Sequence, residues 1–361
     1  MKALHVAFFN RSFHPEVAAT GQLLTELCED LVSRHGFRVS VVAGVPLGES
    51  GFKPPTSGGL FFHRERHRGV DVLRARGTRF SKKSILGRIC NYLTYFLSAC
   101  ITGLRLERPD VVVAFTDPPI IGLAAYLTSR RFGVPLVLSC RDVYPEVAEI
   151  TGGFKSKWGN RILWIISRFL IKKADRTVAL GETMRQRLIA GKGADPAKVM
   201  VIPDWADCGA ITPGPKRNAF SLTHDLADTF VVMHSGNIGL TQDLETLIDA
   251  AARLGGFPEI EIVFVGDGVK REPLEAKAEA LGLKNVRFLP FAPKEKLHES
   301  FAAADLFVVS LKRGLSGYIV PSKLYGILAA GRPYVAAVDP ETEVAAITKE
   351  YECGILVRPG D

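Results

Sequence analysis

Thr229-Phe230-Val231-Val232-Met233-His234-Ser235-Gly236-Asn237-Ile238-Gly239 reads as a strand that runs into a glycine turn and then, near Leu240, into a helix. A short β-branched run bounded by turn residues predicts a strand, and glycine lets the backbone reverse tightly where a helix begins. The same order recurs downstream, with strands predicted over 261–265, 286–289 and 306–310 and helices near 240–254, 270–281 and 294–303. Strands that alternate with helices in this way predict βαβ units around a parallel sheet.

Upstream, the pattern is already present. Strands are predicted over 4–9, 38–43, 111–115, 135–139 and 177–180, with a helix over 20–35. Between the two series the alternation lapses at Ile202-Pro203-Asp204-Trp205 and Thr212-Pro213-Gly214-Pro215, where proline and glycine punctuate the chain. Single cores stop growing near about 250 residues. The 361 residues therefore divide into a first α/β domain over 1–203, a linker over 204–216 and a second α/β domain over 217–361. No sequence repeat accompanies this duplication of fold type. Ligands of open parallel sheets bind beyond the carboxyl ends of the strands, so two such sheets facing each other would hold a ligand in the cleft between them.

Hydrophobic residues at 47% and charged residues at 23% allow a large core and exclude global disorder. The formal net charge of +8 points to an anionic partner. No finger, helix-turn-helix or other recognition pattern accompanies that charge, so nucleic acid is not expected as the partner. The six cysteines Cys28, Cys90, Cys100, Cys140, Cys208 and Cys353 are scattered without metal-ligand spacing and read as buried thiols of a reducing cytoplasm. The opening stretch over 1–10 is too short and strand-like for a signal peptide, and no apolar run reaches the roughly 18 residues of a membrane span. A soluble or peripheral protein is expected.

Two places concentrate donors for an anion. In the stretch over 229–239, Ser235, Gly236 and Asn237 bring flexible backbone to a helix start, whose free N–H groups and dipole favour a diphosphate. In Val320-Pro321-Ser322-Lys323, proline at the first helical position and Gly331 past the end mark a short helix, with Leu324, Ile327 and Leu328 on one face. Its start offers amides, the Ser322 hydroxyl and the Lys323 ammonium together. Between them, Gly266-Asp267-Gly268 ends another strand and Phe291 follows the next, positions from which they would frame a base and ribose.

In the first domain, His14, Asp142 and Glu146 follow strands and are placed to orient sugar hydroxyls or to move a proton. Two basic stretches stand apart. Arg64, Arg66, Arg68, Arg74, Arg76, Arg79, Lys82, Lys83 and Arg88 precede an apolar helix at 92–97, and an acid-free segment over 154–173 mixes Lys155, Lys157, Arg161, Arg168, Lys172 and Lys173 with Trp158, Trp164 and Phe169. Basic residues beside an aromatic, apolar face suit a helix lying on an anionic membrane.

The order Ala19-Thr20-Gly21-Gln22-Leu23-Leu24, Arg141-Asp142-Val143-Tyr144-Pro145-Glu146, Ser235-Gly236-Asn237-Ile238-Gly239, Val265-Gly266-Asp267-Gly268 and Pro321-Ser322-Lys323-Leu324-Tyr325-Gly326 resembles glycosyltransferase family 4 over almost the whole chain. The likeness is to the bacterial surface-polysaccharide branch that includes a fucosamine transferase. It implies the GT-B fold, two Rossmann-like doubly wound parallel-sheet domains facing across a cleft. It also implies a retaining hexosyl- or N-acetylhexosaminyltransferase with a nucleotide-sugar donor in the second domain, a UDP-sugar, and no cofactor or metal. A polyprenyl-diphosphate-linked sugar acceptor would sit in the first domain, which places the protein in the cytoplasm, peripheral on the inner face of the cell membrane. On this reading Lys323, Asp142, Glu146 and His14 serve catalysis. Ser235, Gly236, Asn237, Gly266, Asp267, Gly268, Phe291, Arg313, Pro321, Ser322 and Lys323 hold the donor.

The sequence departs from the wider family in three respects. The paired glutamates that contact donor sugar and ribose are Tyr318 and Gly326 here, and the arginine and lysine that meet the diphosphate are Asn237 and Gln242. Both changes shift weight onto Lys323, with Lys312 and Arg313 upstream. Relatives also continue past the position of Asp361 into further helices, one of which crosses back onto the first domain. Two rival readings accompany the transferase: a nucleotide-sugar epimerase of the same architecture, and a non-catalytic factor that docks on membranes.

Overall fold

The computed structural model of the protein describes residues 3–16, 19–46, 59–78, 80, 85–152 and 156–360, and of Ile85 and Arg88 the backbone alone. Arg79, Lys82, Lys83, Phe154, Lys155, Asp361 and the side chain of Arg88 therefore lie outside the described residues. The chain forms two compact units, the first comprising Met1–Glu146 and Phe154–Pro203, the second Val147–Gly153 and Asp204–Asp361.

In the first stretch of chain the elements are β1 (His5–Phe9), α1 (Ala19–Ser33), β2 (Arg38–Gly44), β3 (Phe62–His67), β4 (Val70–Ala75), α2 (Ile85–Leu104), β5 (Val111–Phe115) and α3 (Ile121–Phe132). There follow β6 (Leu136–Ser139), α4 (Glu146–Thr151), α5 (Lys157–Lys173), β7 (Arg176–Ala179), α6 (Glu182–Lys192) and β8 (Val199–Val201). Among the described residues these strands make one sheet in the order β3-β4-β2-β1-β5-β6-β7-β8. Every pairing is parallel except that of β3 with β4. All five residues of β1 are buried, as a strand covered on both faces requires. The chain leaves β1 toward β2 on one side and resumes at β5 on the other, so the topological switch point lies between the ends of β1 and β5.

The hairpin of β3 and β4 corrects the reading of residues 64–88 at Arg74, while Arg64, Arg66 and Arg68 are exposed. Arg74 is fully buried and donates to Glu65 at 2.8 Å, to the Gly44 carbonyl at 3.2 Å and to the His14 carbonyl. Arg66 lies near Asp71 at 4.0 Å, and Arg68 bridges to Glu29 at 2.9 Å. A guanidinium can be buried only where its donors meet acceptors, and the strand before it supplies the carboxylate. Arg74→Met leaves Glu65 and two carbonyls without their donor, and we expect it to lower the unfolding free energy by about 3 kcal/mol. Urea denaturation measures this, and a loss below about 1 kcal/mol would show that the network contributes little.

The second unit adds α7 (Ala219–Thr223), β9 (Phe230–Ser235), α8 (Glu245–Arg253), β10 (Ile260–Val265), α9 (Arg271–Ala280) and β11 (Val286–Leu289). It continues with α10 (Leu297–Ala302), β12 (Leu306–Ser310), α11 (Lys323–Ala329), β13 (Tyr334–Ala337), α12 (Glu343–Tyr351) and β14 (Gly354–Val357). Its strands form a wholly parallel sheet in the order β11-β10-β9-β12-β13-β14. Alternate residues serve opposite faces: Val231, Met233, Val263 and Val265 enter one core, while Val232, Ile262 and Phe264 enter the other. The switch point here lies between β9 and β12.

Several boundaries shift for local reasons. The helix expected from Leu240 starts only at Glu245, because the Gln242 side chain accepts from the Gly239 amide and the Thr241 carbonyl accepts from Lys312, which hold 239–242 as a loop. The short helix begins at Lys323 with Ser322 as its cap, so Pro321 precedes the cap and is not the first helical residue. None of the cysteines is paired, but Cys90 and Cys208 are exposed, and the reading of all six as buried is corrected accordingly.

Candidate active site

At the switch point of the second unit, the turns that leave β9 and β10 are pressed together backbone to backbone. The Gly236 amide donates to the Val265 carbonyl at 2.9 Å, the Ile238 amide to the Asp267 carbonyl at 2.9 Å, and the Lys270 amide back to Ile238 at 3.0 Å. Glycine is required by the approach itself: a Cβ on Gly266 would lie 1.9 Å from the Gly236 carbonyl oxygen, and one on Gly268 would lie 2.3 Å from that of Ile238. Their φ angles of 147° and 157° also fall where other residues are strained. Phe291 borders Gly266 with its ring partly exposed, and Asp267 folds its carboxylate onto the Gly268 amide at 2.8 Å. The Gly236 and Ile238 amides are thus already engaged, which removes them from the donors read in the sequence.

Lys323, at the start of α11, reaches into this turn. Its Nζ lies 3.1 Å from Nε2 and 3.4 Å from Nδ1 of His234, the buried penultimate residue of β9, and faces Gly236. The residue as a whole is half-buried, but the amine points inward, and burial pushes its pKa from 10.5 down to about 7. Burial, and then the neighbouring Lys323, hold His234 well below the ordinary histidine range. A neutral imidazole can accept from the amine but cannot neutralise it. No ion pair among the described residues supplies Lys323 with a carboxylate. An enclosed cation without a counter-ion is a site that gains from receiving an anion.

The neighbours of Lys323 divide into those brought to it and those kept away. Ser322 makes no capping hydrogen bond, so its hydroxyl is free to face a ligand. The side chain of Asn237 packs against Gly239 and Gly268. Arg313 is exposed in the loop after β12, and no described contact joins it to Lys323. Gly326, where the wider family carries a glutamate, turns inward: a Cβ there would meet Phe301 Cε1 at 3.1 Å and Cζ at 3.2 Å. A side chain at that position would leave the backbone toward Phe301 and Ile211. Tyr318 packs against the same core.

The first unit presents a separate polar cluster at the ends of β1 and β5. Asp117 accepts from Ser12 at 3.2 Å and from Thr20 at 3.4 Å, while Arg11 donates to Ser12 at 2.8 Å and bridges to Glu16 at 3.2 Å. His14 follows in the same loop, but its ring is stacked on His67 at 3.9 Å; burial, and then His67, lower its pKa. Asp142 is held by Thr116, which bonds both its amide and its carbonyl at 3.3 Å. Glu146 is committed to Lys192, whose buried ammonium lies 2.7 Å and 2.8 Å from its two oxygens and also bonds the Tyr144 carbonyl. Asp117 and His234 escaped the reading of the sequence. The Asp-Pro-Pro that follows β5 was the available sign of the first, and a lone histidine in an apolar strand that of the second.

Two doubly wound parallel-sheet units in one chain constitute the GT-B architecture of glycosyltransferases, and solved structures share it. The HepE protein of Anabaena in complex with UDP-glucose superposes with a TM-score of 0.71 at 18% identity, covering 99% of this chain and 86% of its own. WaaG, a glycosyltransferase involved in lipopolysaccharide biosynthesis, does so with a TM-score of 0.68 at 17% identity, covering 98% and 86%. The chain belongs to the glycosyl transferase 4-like family, whose model matches residues 19–205, and the model of glycosyl transferases group 1 matches residues 220–361. It is similar to WbjE of Pseudomonas aeruginosa, named as a probable glycosyltransferase, at 28% identity over 78% of this chain and 71% of that one. It is also similar to WcaI of Escherichia coli K12, named for colanic acid biosynthesis, at 25% identity over 98% and 88%.

Proposed function

We propose that the protein transfers a sugar from a UDP-sugar to a lipid-linked saccharide in the synthesis of a cell-surface polysaccharide, with retention of anomeric configuration, as in the fucosamine-transferase branch. The observation that carries this reading is Lys323, an enclosed amine without a carboxylate at the switch point of the second unit. The relatives support it: HepE holds UDP-glucose, and WcaI is named for a polysaccharide pathway. A leaving diphosphate gathers negative charge as the glycosidic bond breaks, and a fixed cation in a water-poor site stabilises that charge without reorganising. Ser322 adds a neutral donor, the stacked turns of Gly236 and Gly266 let the phosphates approach, and Phe291 offers a ring face for the base. Asp117, with Ser12 and Thr20, would orient acceptor hydroxyls in the first unit.

A thermal-shift screen of UDP-, GDP- and ADP-linked sugars, followed by transfer to a solvent extract of bacterial membranes, tests the reading. Stabilisation by UDP-sugars and a labelled lipid product are expected; indifference to every nucleotide would overturn it. The pH dependence has a definite sign. Bound diphosphate favours the protonated amine, so binding takes up a proton above the free-state pKa of about 7. The affinity for UDP should therefore fall by up to about tenfold per pH unit between pH 7.5 and 8.5, where the phosphates of UDP no longer titrate. Calorimetric titration reads this, and a flat profile would remove Lys323 from the phosphate.

A further inference from the structure

His234 stands where the fold calls for an apolar residue. It follows Val231, Val232 and Met233 along β9 and is fully buried, its ring 6.0 Å from that of Phe264 on the neighbouring β10. A buried imidazole needs partners for its nitrogens. Nε2 lies 3.3 Å from the Asn237 carbonyl, which can only accept, so this network assigns the ring proton to Nε2. Nδ1 is then the acceptor of the ring, and the Lys323 amine stands 3.4 Å from it. The imidazole thus joins the amine of α11 to the glycine turn that the amine faces.

Lys192 shows what a buried amine receives where its task is to hold the fold: the Glu146 carboxylate at 2.7 Å and the Tyr144 carbonyl at 2.9 Å. That ammonium is neutralised where it stands. Among the described contacts of Lys323 the one titratable side chain is His234, and the one charge that meets His234 is Lys323, since Phe264 of β10 is neutral. Burial, and then Lys323, keep the ring uncharged. A carboxylate in its place would hold the amine more tightly, but it would also compete with a phosphate for the same charge. A neutral acceptor fixes the amine in space and leaves its charge uncompensated.

We propose that His234 is a positioning residue of the donor site: its neutral ring holds the Lys323 amine over Gly236 without neutralising it, which keeps that charge for the diphosphate of the donor. The inference rests on the donor site as read above. His234→Gln, His234→Glu and His234→Phe separate this role from packing. Glutamine and glutamate share one shape and differ in charge, and glutamine keeps both an acceptor and a donor. Phenylalanine keeps a ring and loses both.

In calorimetric titration of the full chain with UDP at pH 7, the glutamine variant should bind within about threefold of the parent and the phenylalanine variant roughly tenfold more weakly. The glutamate variant should lose at least about a hundredfold, since its carboxylate both pairs with the amine and repels the phosphates. Packing alone predicts the opposite order for glutamine and phenylalanine, because an apolar ring suits a buried strand better than an amide does. NMR titration of Lys323, followed at Cε, reads the same role without nucleotide. A hydrogen bond to the charged form raises the pKa of an amine, and an adjacent carboxylate raises it further. The midpoint should stay near that of the parent in the glutamine variant, fall in the phenylalanine variant and rise in the glutamate variant. Circular dichroism checks the fold, and the glutamine and glutamate pair decides if the phenylalanine variant does not fold. A folded phenylalanine variant that binds UDP as the parent does, or glutamine and glutamate variants that bind alike, would overturn the role of His234 alone. A parent indifferent to UDP would overturn the donor reading and this role with it.

Discussion

Lys323→Ala removes transfer by about two to three orders of magnitude and abolishes stabilisation by UDP, while the unliganded protein melts no lower than the parent. The first part follows from deleting a preorganised cation at the site of developing charge. The second follows from the state of that cation before a ligand arrives. An amine whose pKa is pushed from 10.5 to about 7 opposes folding while it is charged. Between those values the unfolded chain binds more protons than the folded one, so the parent gains stability as pH rises through that window. The variant should lose this slope together with its activity. Melts from pH 6 to 10, paired with transfer rates, measure both, and an unaltered rate would remove Lys323 from the mechanism.

Gly266→Ala should destroy nucleotide binding and cost about 3 kcal/mol of stability, the size expected when strain and a backbone collision coincide. The new methyl group would lie 1.9 Å from the Gly236 oxygen, and no flexible side chain can yield there, because both parties are backbone. The turns of β9 and β10 must part, and the floor beneath Lys323 parts with them. Gly282→Ala is the control: its φ is 64°, but nothing lies within 4 Å of the added Cβ, so only a conformational cost of about 1 kcal/mol remains. Urea unfolding and UDP titration of both variants decide the matter. Equal effects would mean that backbone strain, and not contact between the turns, governs Gly266.

The strands at Val111–Phe115, Val286–Leu289 and Leu306–Ser310 coincide with their sequence reading because a β-branched run bounded by turn residues is a local signal. Gly236, Gly266 and Gly268 were legible for the same reason, since a tight turn is written in adjacent residues. Pairings across the chain were not. His234 meets Lys323 from 89 positions away, Ser12 meets Asp117 from 105, and Glu146 meets Lys192 from 46. Arg74 misled for a related reason. A run of arginines describes surface charge well until one of them finds Glu65 across a hairpin and is taken inside.

The inward orientation of Gly326 bears on how a longer side chain could be introduced at that position. A glutamate introduced there sets its Cβ against the Phe301 ring at 3.1 Å, so the ring must give by a few tenths of an ångström, and the ring offers no partner for the new charge. Shrinking Phe301 would relieve that contact at a cost to the second unit's core, in which it is buried. The two sites are therefore epistatic, and each order of mutation passes through a less stable intermediate. Libraries meant to alter the sugar donor would do better to randomise positions 301 and 326 together than to sample either alone.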